Sequence, residues 1–311
     1  MKSINDVEEF EISEHIVGQV GYGYVGQAVE ALFKERCKVV VYDKFKIGTE
    51  SLSDVVKVAH VIFVAVPTPM KSDGECHTGI VEEVLQEIQT TAANVGRDLD
   101  EFVVVLKSTV PPGFTRSMQK KFALRILFSP EFLTEANSVD DFKNARRVLL
   151  GGREEDALVV AKFFEAVWPD RMQVTTSHPA GPVIIVQCDP EVAEMVKLFT
   201  NAILTIRVIF GNEIYKVCEA LGIDYDEVRM LACLDRRINS SHLFVPGPDG
   251  DLGFGGHCFV KDVNNLKYLC SQLGTGEKLF TAVLSRNDEL RTNRNWEKMV
   301  NRAVLDIENK S

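Results

Sequence analysis

Several absences narrow what this 311-residue chain can be. It has no apolar run approaching the roughly 18–20 residues that a membrane-spanning helix needs, so no span is expected. Residues 1–14 are acidic and contain no apolar stretch of the kind a secretory leader carries, so no leader is expected. Positive charge is in deficit. Lys plus Arg number 35 against 45 Asp plus Glu, a net charge of −10, which argues against a nucleic-acid partner or an anionic membrane surface. The seven cysteines form no CxxC pair and are odd in number, which points to reduced thiols in a reducing, cytoplasmic compartment. The six histidines have no metal-ligand spacing, so no metal is expected.

What remains is an ordinary globular composition, 45% hydrophobic and 26% charged, at a length that suits two domains. In the first half, β-branched runs (15–20, 38–43, 61–66, 102–107, 125–128, 147–151) alternate with helical stretches (24–36, 51–59, 79–94, 114–122, 154–166). A further strand is expected over 172–176, and 183–186 reads as a short buried run. Such alternation predicts a parallel sheet with helices on both faces. After Pro190 the period changes. Val192, Met195, Val196, Phe199, Ile203, Ile206, Ile209 and Phe210 recur at helical spacing through residue 221, and helices are expected over 224–234, 259–273 and 277–305, with 291–302 as a polar helix face. Residues 239–256 form a Pro- and Gly-rich loop. The expected fold class is α/β: a doubly wound parallel sheet over 1–188, then an all-helical domain over 189–311.

The first strand runs into Gly21-Tyr22-Gly23-Tyr24-Val25-Gly26, which opens a helix, and the second strand ends in Asp43, seventeen residues past Gly26. A GxGxxG in that setting is a dinucleotide fingerprint, and it makes the sheet domain Rossmann-like. Gly21 permits the tight turn, Gly23 lets the backbone approach a pyrophosphate, and Gly26 lets helix and strand close up. The helix N-terminus attracts the phosphates. Asp43 suits the ribose hydroxyls and repels a 2′-phosphate, which favours NAD. A purely structural glycine cluster is the competing reading. Two other strand ends, at Thr68 and Thr109, can donate to the cofactor, or are plain turn residues.

Cys258 follows a glycine-rich approach that includes Gly255, and it opens a helix, where a thiol's pKa falls. Asp262 lies one turn further on the same face. The residues alone leave open a packed cysteine and a capping aspartate. Lys197 and Asn201, four apart on the long helix, make an oxyanion pair or a solvated edge. Glu131 and Glu135, four apart after a strand, read as a helix start that caps itself or serves as acid and base.

In this order the stretches GYGYVG, VAVPTP, LKSTVPPGFT, FSPEFLTEA, EMVKLFTNA, LDRRI and GFGGHCFVKDVNNL resemble the UDP-glucose/GDP-mannose dehydrogenases, a nucleotide-sugar dehydrogenase family. The resemblance implies oxidation of a sugar primary alcohol to a carboxylate with two NAD. It makes Cys258 the nucleophile, has Lys197 and Asn201 hold the substrate oxygen, and gives water and protons to Asp262, Glu131 and Thr109. It puts Glu135 and Thr109 beside the nicotinamide, and Phe132, Leu133, Gly255 and Arg237 on the sugar nucleotide. It further implies a homodimer through the helix at 191–221, with that arginine reaching the neighbouring site. Two features depart from the family: Val260 stands where a Pro is usual, and Cys76-His77-Thr78 where an Asp is common. Members usually continue into a further nucleotide-binding domain, which this chain is expected to lack. The alternatives are a two-electron 3-hydroxyacid-type dehydrogenase and a non-catalytic NAD-binding remnant.

Overall fold

The computed structural model describes residues 10–169 and 182–305, so the expected strand at 172–176 lies outside the described residues. The chain forms two compact units, Met1–Val66 with Gly79–Met195, and Pro67–Thr78 with Val196–Ser311. The loop Pro67–Thr78, which follows the third strand, thus belongs to the second unit although the sequence places it inside the first domain.

In the first unit, β1 (Ile16–Val20), β2 (Lys38–Tyr42), β3 (Val61–Val64), β4 (Val103–Leu106), β5 (Ile126–Phe128), β6 (Arg147–Gly151) and β7 (Ile184–Cys188) form one sheet in the order β2-β1-β3-β4-β5-β6-β7. The pairing is parallel except between β5 and β6. Strands β3 and β4 are buried along their whole length, as all-apolar strands covered on both faces must be. The order reverses between β1 and β3, so the topological switch point lies at the carboxyl end of β1, where α/β sheets bind ligands.

The covering helices are α1 (Tyr24–Phe33), α2 (Leu52–Val58), α3 (Gly79–Val95), α4 (Phe114–Lys121), α5 (Ser138–Lys143) and α6 (Glu154–Val167). A Ser51–Asp54 capping box starts α2. The core is aromatic: Phe33, Phe63 and Phe164 meet at centroid distances of 5.5–6.0 Å, with Trp168 stacked on Phe164. Strand β7 differs from expectation. It is an edge strand whose Ile184 and Val186 are exposed, because hydrophobic content alone does not say which strand lies outermost.

The long helix α7 (Pro190–Leu221) begins in the first unit. Its Glu194 is fully buried and accepts the backbone N–H of Gly113 (2.6 Å) and Thr115 (2.8 Å), serving as the cap that Gly113 at the start of α4 cannot provide. Burial pushes the Glu194 carboxyl pKa up. Helix α7 buries the apolar Ala193, Leu198, Ala202, Ile209 and Cys218, and an unusual number of polar residues with them. Its buried face includes Glu194, Lys197, Asn201, Thr205 and Asn212, whereas Val192, Phe199, Ile203, Phe210, Val217 and Leu221 are exposed.

In the second unit α7 is followed by α8 (Tyr225–Ala232), α9 (Cys258–Leu273) and α10 (Lys278–Leu290). Their core gathers Ile209, Phe254, Val260, Val283, Leu290 and Trp296. The helix expected over 277–305 stops at Leu290, and the supposed polar face beyond it holds only a short 3-10 turn, Asn295–Lys298, while Arg291 turns inward and is buried. Its partners, Asp249 and Asp251, lie some forty residues back, so no local pattern announces them.

Asp156 in α6 is fully buried between Arg125 (2.6 Å) and Arg153 (2.8 Å). Replacing it strands the Arg125 guanidinium against the core. Asp156→Ala is expected to cost about 3 kcal/mol in urea unfolding, against under 1 kcal/mol for the exposed pair partner in Glu155→Ala.

Candidate active site

The loop after β1 has the features a dinucleotide needs. Gly21 has φ +84°, and a Cβ there would stand 2.5 Å from the Ala65 carbonyl. A Cβ on Gly26 would come 2.2 Å from the Gly21 carbonyl, so helix α1 can approach only without one. At Gly23 a Cβ would meet nothing within 4 Å, which leaves the loop open to a phosphate. Helix α1 starts at Gly23 without a side-chain cap, with Tyr24 and Val25 half-buried in its first turn. Asp43 ends β2 and accepts the Tyr22 N–H at 2.6 Å and the Phe45 N–H at 2.9 Å, so its carboxylate is fixed beside the loop. These features fit a pyrophosphate at α1 and a ribose at Asp43.

At the ends of β4 and β5 the first unit buries a second polar group. Ser108 Oγ donates to the Val66 carbonyl (2.7 Å) and accepts its N–H (3.0 Å). Lys107 is buried, with Nζ near Ser129 Oγ (3.3 Å) and the Pro130 carbonyl (3.4 Å). Thr109 is buried next to it. The expected helix start at 129–135 is absent: only a short 3-10 turn, Glu135–Asn137, precedes α5. Glu131 and Glu135 therefore do not share a helix face. Glu131 is buried and accepts the Leu133 N–H at 2.7 Å, whereas Glu135 is exposed. Phe132 lies under the Arg147 guanidinium at 4.3 Å, and Leu133 packs on the first unit's core.

The second unit holds the rest. Cys258 is half-buried and opens α9. One turn on, Asp262 is 1% exposed, and both of its oxygens are taken: Oδ1 by Lys261 Nζ and Oδ2 by Asn201 Nδ2, each at 2.5 Å. Burial works against the charge of Lys261, yet the touching carboxylate more than offsets it and raises the pKa; Cys76 and Cys258 add to the same attraction. Lys197 is buried one turn before Asn201 on α7. Cys76 is buried beside Thr68, with Sγ 4.0 Å from its carbonyl, and burial pushes this thiol up. Arg237 is exposed and, among the described residues, pairs with Asp235 two positions before it.

Ahead of Cys258 the glycine-rich segment is pinned by side chains that the sequence did not single out. Asn287 accepts the Phe254 N–H (2.7 Å) and donates to its carbonyl (3.0 Å). Asn212 accepts from Gly253 at 3.2 Å and Asn295 from Gly256 at 3.1 Å. The Arg291 guanidinium, ion-paired to Asp249, lies against Gly255, where a Cβ would sit 2.2 Å from Nη2. The one sequence signal for Lys261 was its place three residues after Cys258, on the same helical stripe.

Residues 29–168 match the NAD binding domain of the UDP-glucose/GDP-mannose dehydrogenase family, and residues 191–289 match its central domain. The NAD-domain match begins just past the glycine loop, which therefore rests on its own geometry. A UDP-glucose 6-dehydrogenase of Bacillus subtilis, TuaD, is 28% identical over 260 residues, 81% of this chain and 51% of the relative. That of Bos taurus is 31% identical over 256 residues, 78% and 48% respectively. The chain spans about half the length of the curated relatives it matches. A UDP-glucose dehydrogenase from the archaeon Pyrobaculum islandicum shares the fold, with a TM-score of 0.72 at 24% identity over 91% of this chain and 70% of that one. So does a 3-hydroxyisobutyrate dehydrogenase of Mycobacterium tuberculosis, at 0.63 and 16% over 94% and 96%.

The buried ion pair yields a stability test. Lys261→Met leaves the Asp262 charge with only an amide and is expected to cost about 3 kcal/mol in urea unfolding. Adding Asp262→Asn is expected to recover more than half of that loss, which the double-mutant cycle reads directly.

Proposed function

The chain belongs to the UDP-glucose/GDP-mannose dehydrogenase family, and from that premise we propose that it is an NAD-dependent nucleotide-sugar 6-dehydrogenase. Its substrate is a UDP-glucose-like sugar nucleotide, oxidised at the primary alcohol to the uronate. The observation that carries the reading is Cys258 at the start of α9, behind a pinned glycine loop and one turn from the buried Lys261–Asp262–Asn201 group.

NAD, which the glycine loop and Asp43 would hold, would supply the hydride acceptor for two successive oxidations of the same carbon. The chain's residues do the rest. Lys197 holds the substrate oxygen with its cation, and Asn201 Nδ2, having given one hydrogen to Asp262, offers its second. Asp262 has both oxygens engaged by donors, so it orients Asn201 and Lys261 rather than carrying a proton. The Cys258 thiolate, favoured by the N-terminus of α9, adds to the aldehyde carbon; the C–S bond forms and the carbonyl pair moves onto oxygen, where Lys197 balances it. Hydride loss from that carbon leaves a thioester. Water attacks the thioester; the C–S bond breaks and the sulfur regains its electron pair, a step for which the family resemblance implies Glu131 and Thr109 as the residues that place the water. The sum is alcohol plus two NAD⁺ plus water to carboxylate plus two NADH plus three protons. Within this reading Thr68 and Glu135 serve the cofactor, and Phe132, Leu133, Gly255 and Arg237 serve the sugar nucleotide.

The assembly in this reading is a homodimer across α7. What supports it is that Phe199 and Leu221 are about two-thirds exposed on α7, with Phe210 and Val217 exposed between them, and a run of exposed apolar residues of this kind marks an interaction face. Phe199→Asp is expected to move the protein from dimer to monomer in light scattering at micromolar concentration, whereas an unchanged mass removes α7 from the interface.

The catalytic reading is tested by stoichiometry with UDP-glucose and, separately, GDP-mannose as substrate. Two NADH are expected per uronate formed from the preferred sugar, and Cys258→Ser is expected to lower that turnover by at least a thousandfold. One NADH per sugar, with free aldehyde, would instead favour the two-electron reading, whose fold counterpart is the 3-hydroxyisobutyrate dehydrogenase. NAD binding without turnover of either sugar nucleotide would leave a non-catalytic NAD-binding protein.

A further inference from the structure

Gly255 is a glycine for a reason that its own backbone does not supply. Gly253 and Gly256 have φ of +66° and +71°, where a side chain is strained, but Gly255 lies outside the left-handed region. What excludes a side chain there is the Arg291 guanidinium. A Cβ on Gly255 would stand 2.2 Å from Nη2, 2.7 Å from Cζ and 3.0 Å from Nε. A guanidinium on its flexible stem can ordinarily swing aside. This side chain is 1% exposed, and all three of its nitrogens are engaged. Nη1 and Nη2 donate to the Asp249 carboxylate, Nη1 also lies 3.3 Å from the Leu252 carbonyl, and Nε donates to the Asn293 carbonyl at 2.9 Å.

Asp251 closes the clamp from the other side. Its Oδ2 accepts the N–H of Asn293 (2.7 Å) and of Thr292 (3.0 Å) and lies 3.7 Å from Arg291 Nε, while Oδ1 accepts the Leu252 N–H at 2.8 Å. The hydrogen bond from Arg291 lowers the Asp249 pKa, so at neutral pH the clamp consists of full charges. Taking a guanidinium out of water is costly even when it is paired, and an apolar side chain at 291 would have closed the core more cheaply. The cation is instead set against the segment that leads to Cys258. Three glycines in four residues leave such a segment with much freedom to lose. Amides from Asn212, Asn287 and Asn295 hold it at Gly253, Phe254 and Gly256. At Gly255, three residues before the sulfur, the backbone comes to rest on Arg291.

We propose that Arg291 is a positioning residue for the oxidation: clamped by Asp249 and Asp251, it is the stop against which Gly255 rests, and it sets where the segment before Cys258 meets the sugar. The inference rests on the dehydrogenase reading, in which Gly255 serves the sugar nucleotide, and goes beyond it by naming what holds Gly255 in place. Position 255 and position 291 are then a matched pair, in which the absent side chain of one is the room taken by the other.

The test is steady-state kinetics of the whole chain with NAD and the preferred of UDP-glucose and GDP-mannose. Arg291→Ala is expected to raise the sugar KM at least tenfold and to lower kcat severalfold, with the NAD dissociation constant unchanged in calorimetry. Loss of folded protein lowers kcat alone, so the shift in KM reports geometry rather than stability. The Asp249 side chain is 42% exposed, so Asp249→Asn loosens the clamp without opening a cavity and is expected to raise the sugar KM severalfold. Gly255→Ala is expected to raise the KM at least tenfold in the wild-type background but less than twofold when added to Arg291→Ala, because the room is then free. An unchanged sugar KM in Asp249→Asn and in Arg291→Ala overturns the inference and leaves the dehydrogenase reading standing. So does an equal loss from Gly255→Ala in both backgrounds, which makes position 255 independent of Arg291. A wild-type chain that binds NAD and oxidises neither sugar nucleotide overturns the dehydrogenase reading and this inference together.

Discussion

A carboxylate with no access to water sets the terms for the helical half of this protein. Asp262 is excluded from solvent in a helix interior, where an unpaired charge is intolerable, so the chain must bring Lys261 and Asn201 to it. That requirement fixes the face α9 turns toward α7 and the rotation of α7 about its axis. It also accounts for the polar residues inside α7: a helix that must bury Asn201 beside Asp262, and Lys197 one turn away, shares its inward face between these and apolar residues such as Leu198, Ala202 and Ile209. The same constraint separates roles among acids that look alike in sequence. Asp262, with a donor on each oxygen, is a strut. Glu131 is buried with an N–H on one oxygen, and Glu135 stands in solvent.

The first half of the fold was largely legible because its signals are local. Apolar runs of strand length, capping residues such as Ser51 and Asp54, and the spacing from Gly26 to Asp43 each depend on neighbours within twenty or so residues. Glycines at positive φ declare themselves by type, and Gly21 is one. Strand and helix boundaries differ from the expected ones by one to three residues, as fraying ends do. The glycine loop and Asp43 were likewise readable, since both sit on one βαβ unit.

What could not be read depends on distant pairing. Residues 291–302 look like a solvated helix face because they are rich in charge, but Arg291 is drawn in by Asp249 and Asp251, and the helix ends where that turn begins. Residues 129–135 look like a helix start because two acids stand four apart, yet Glu131 is drawn inward to the Leu133 amide and the chain stays extended. Strand β7 looks buried by composition and is exposed by its place in the sheet order. Nothing local in the sequence says that Lys261 is buried; its ion pair with Asp262 is closed off from water only in the folded unit, where Asn201 of α7 takes the other carboxylate oxygen.

The anchors of the segment before Cys258 carry a consequence for how the chain is made. Apart from Asn212, the side chains that shape it, Asn287, Arg291 and Asn295, all come after it in the sequence. A ribosome releasing this protein therefore delivers the cysteine while three of the four side chains that hold the segment ahead of it are still to emerge. Until the last of those three residues has left the exit tunnel, the sulfur sits on an unstructured tether, so its final setting is among the later events of biogenesis.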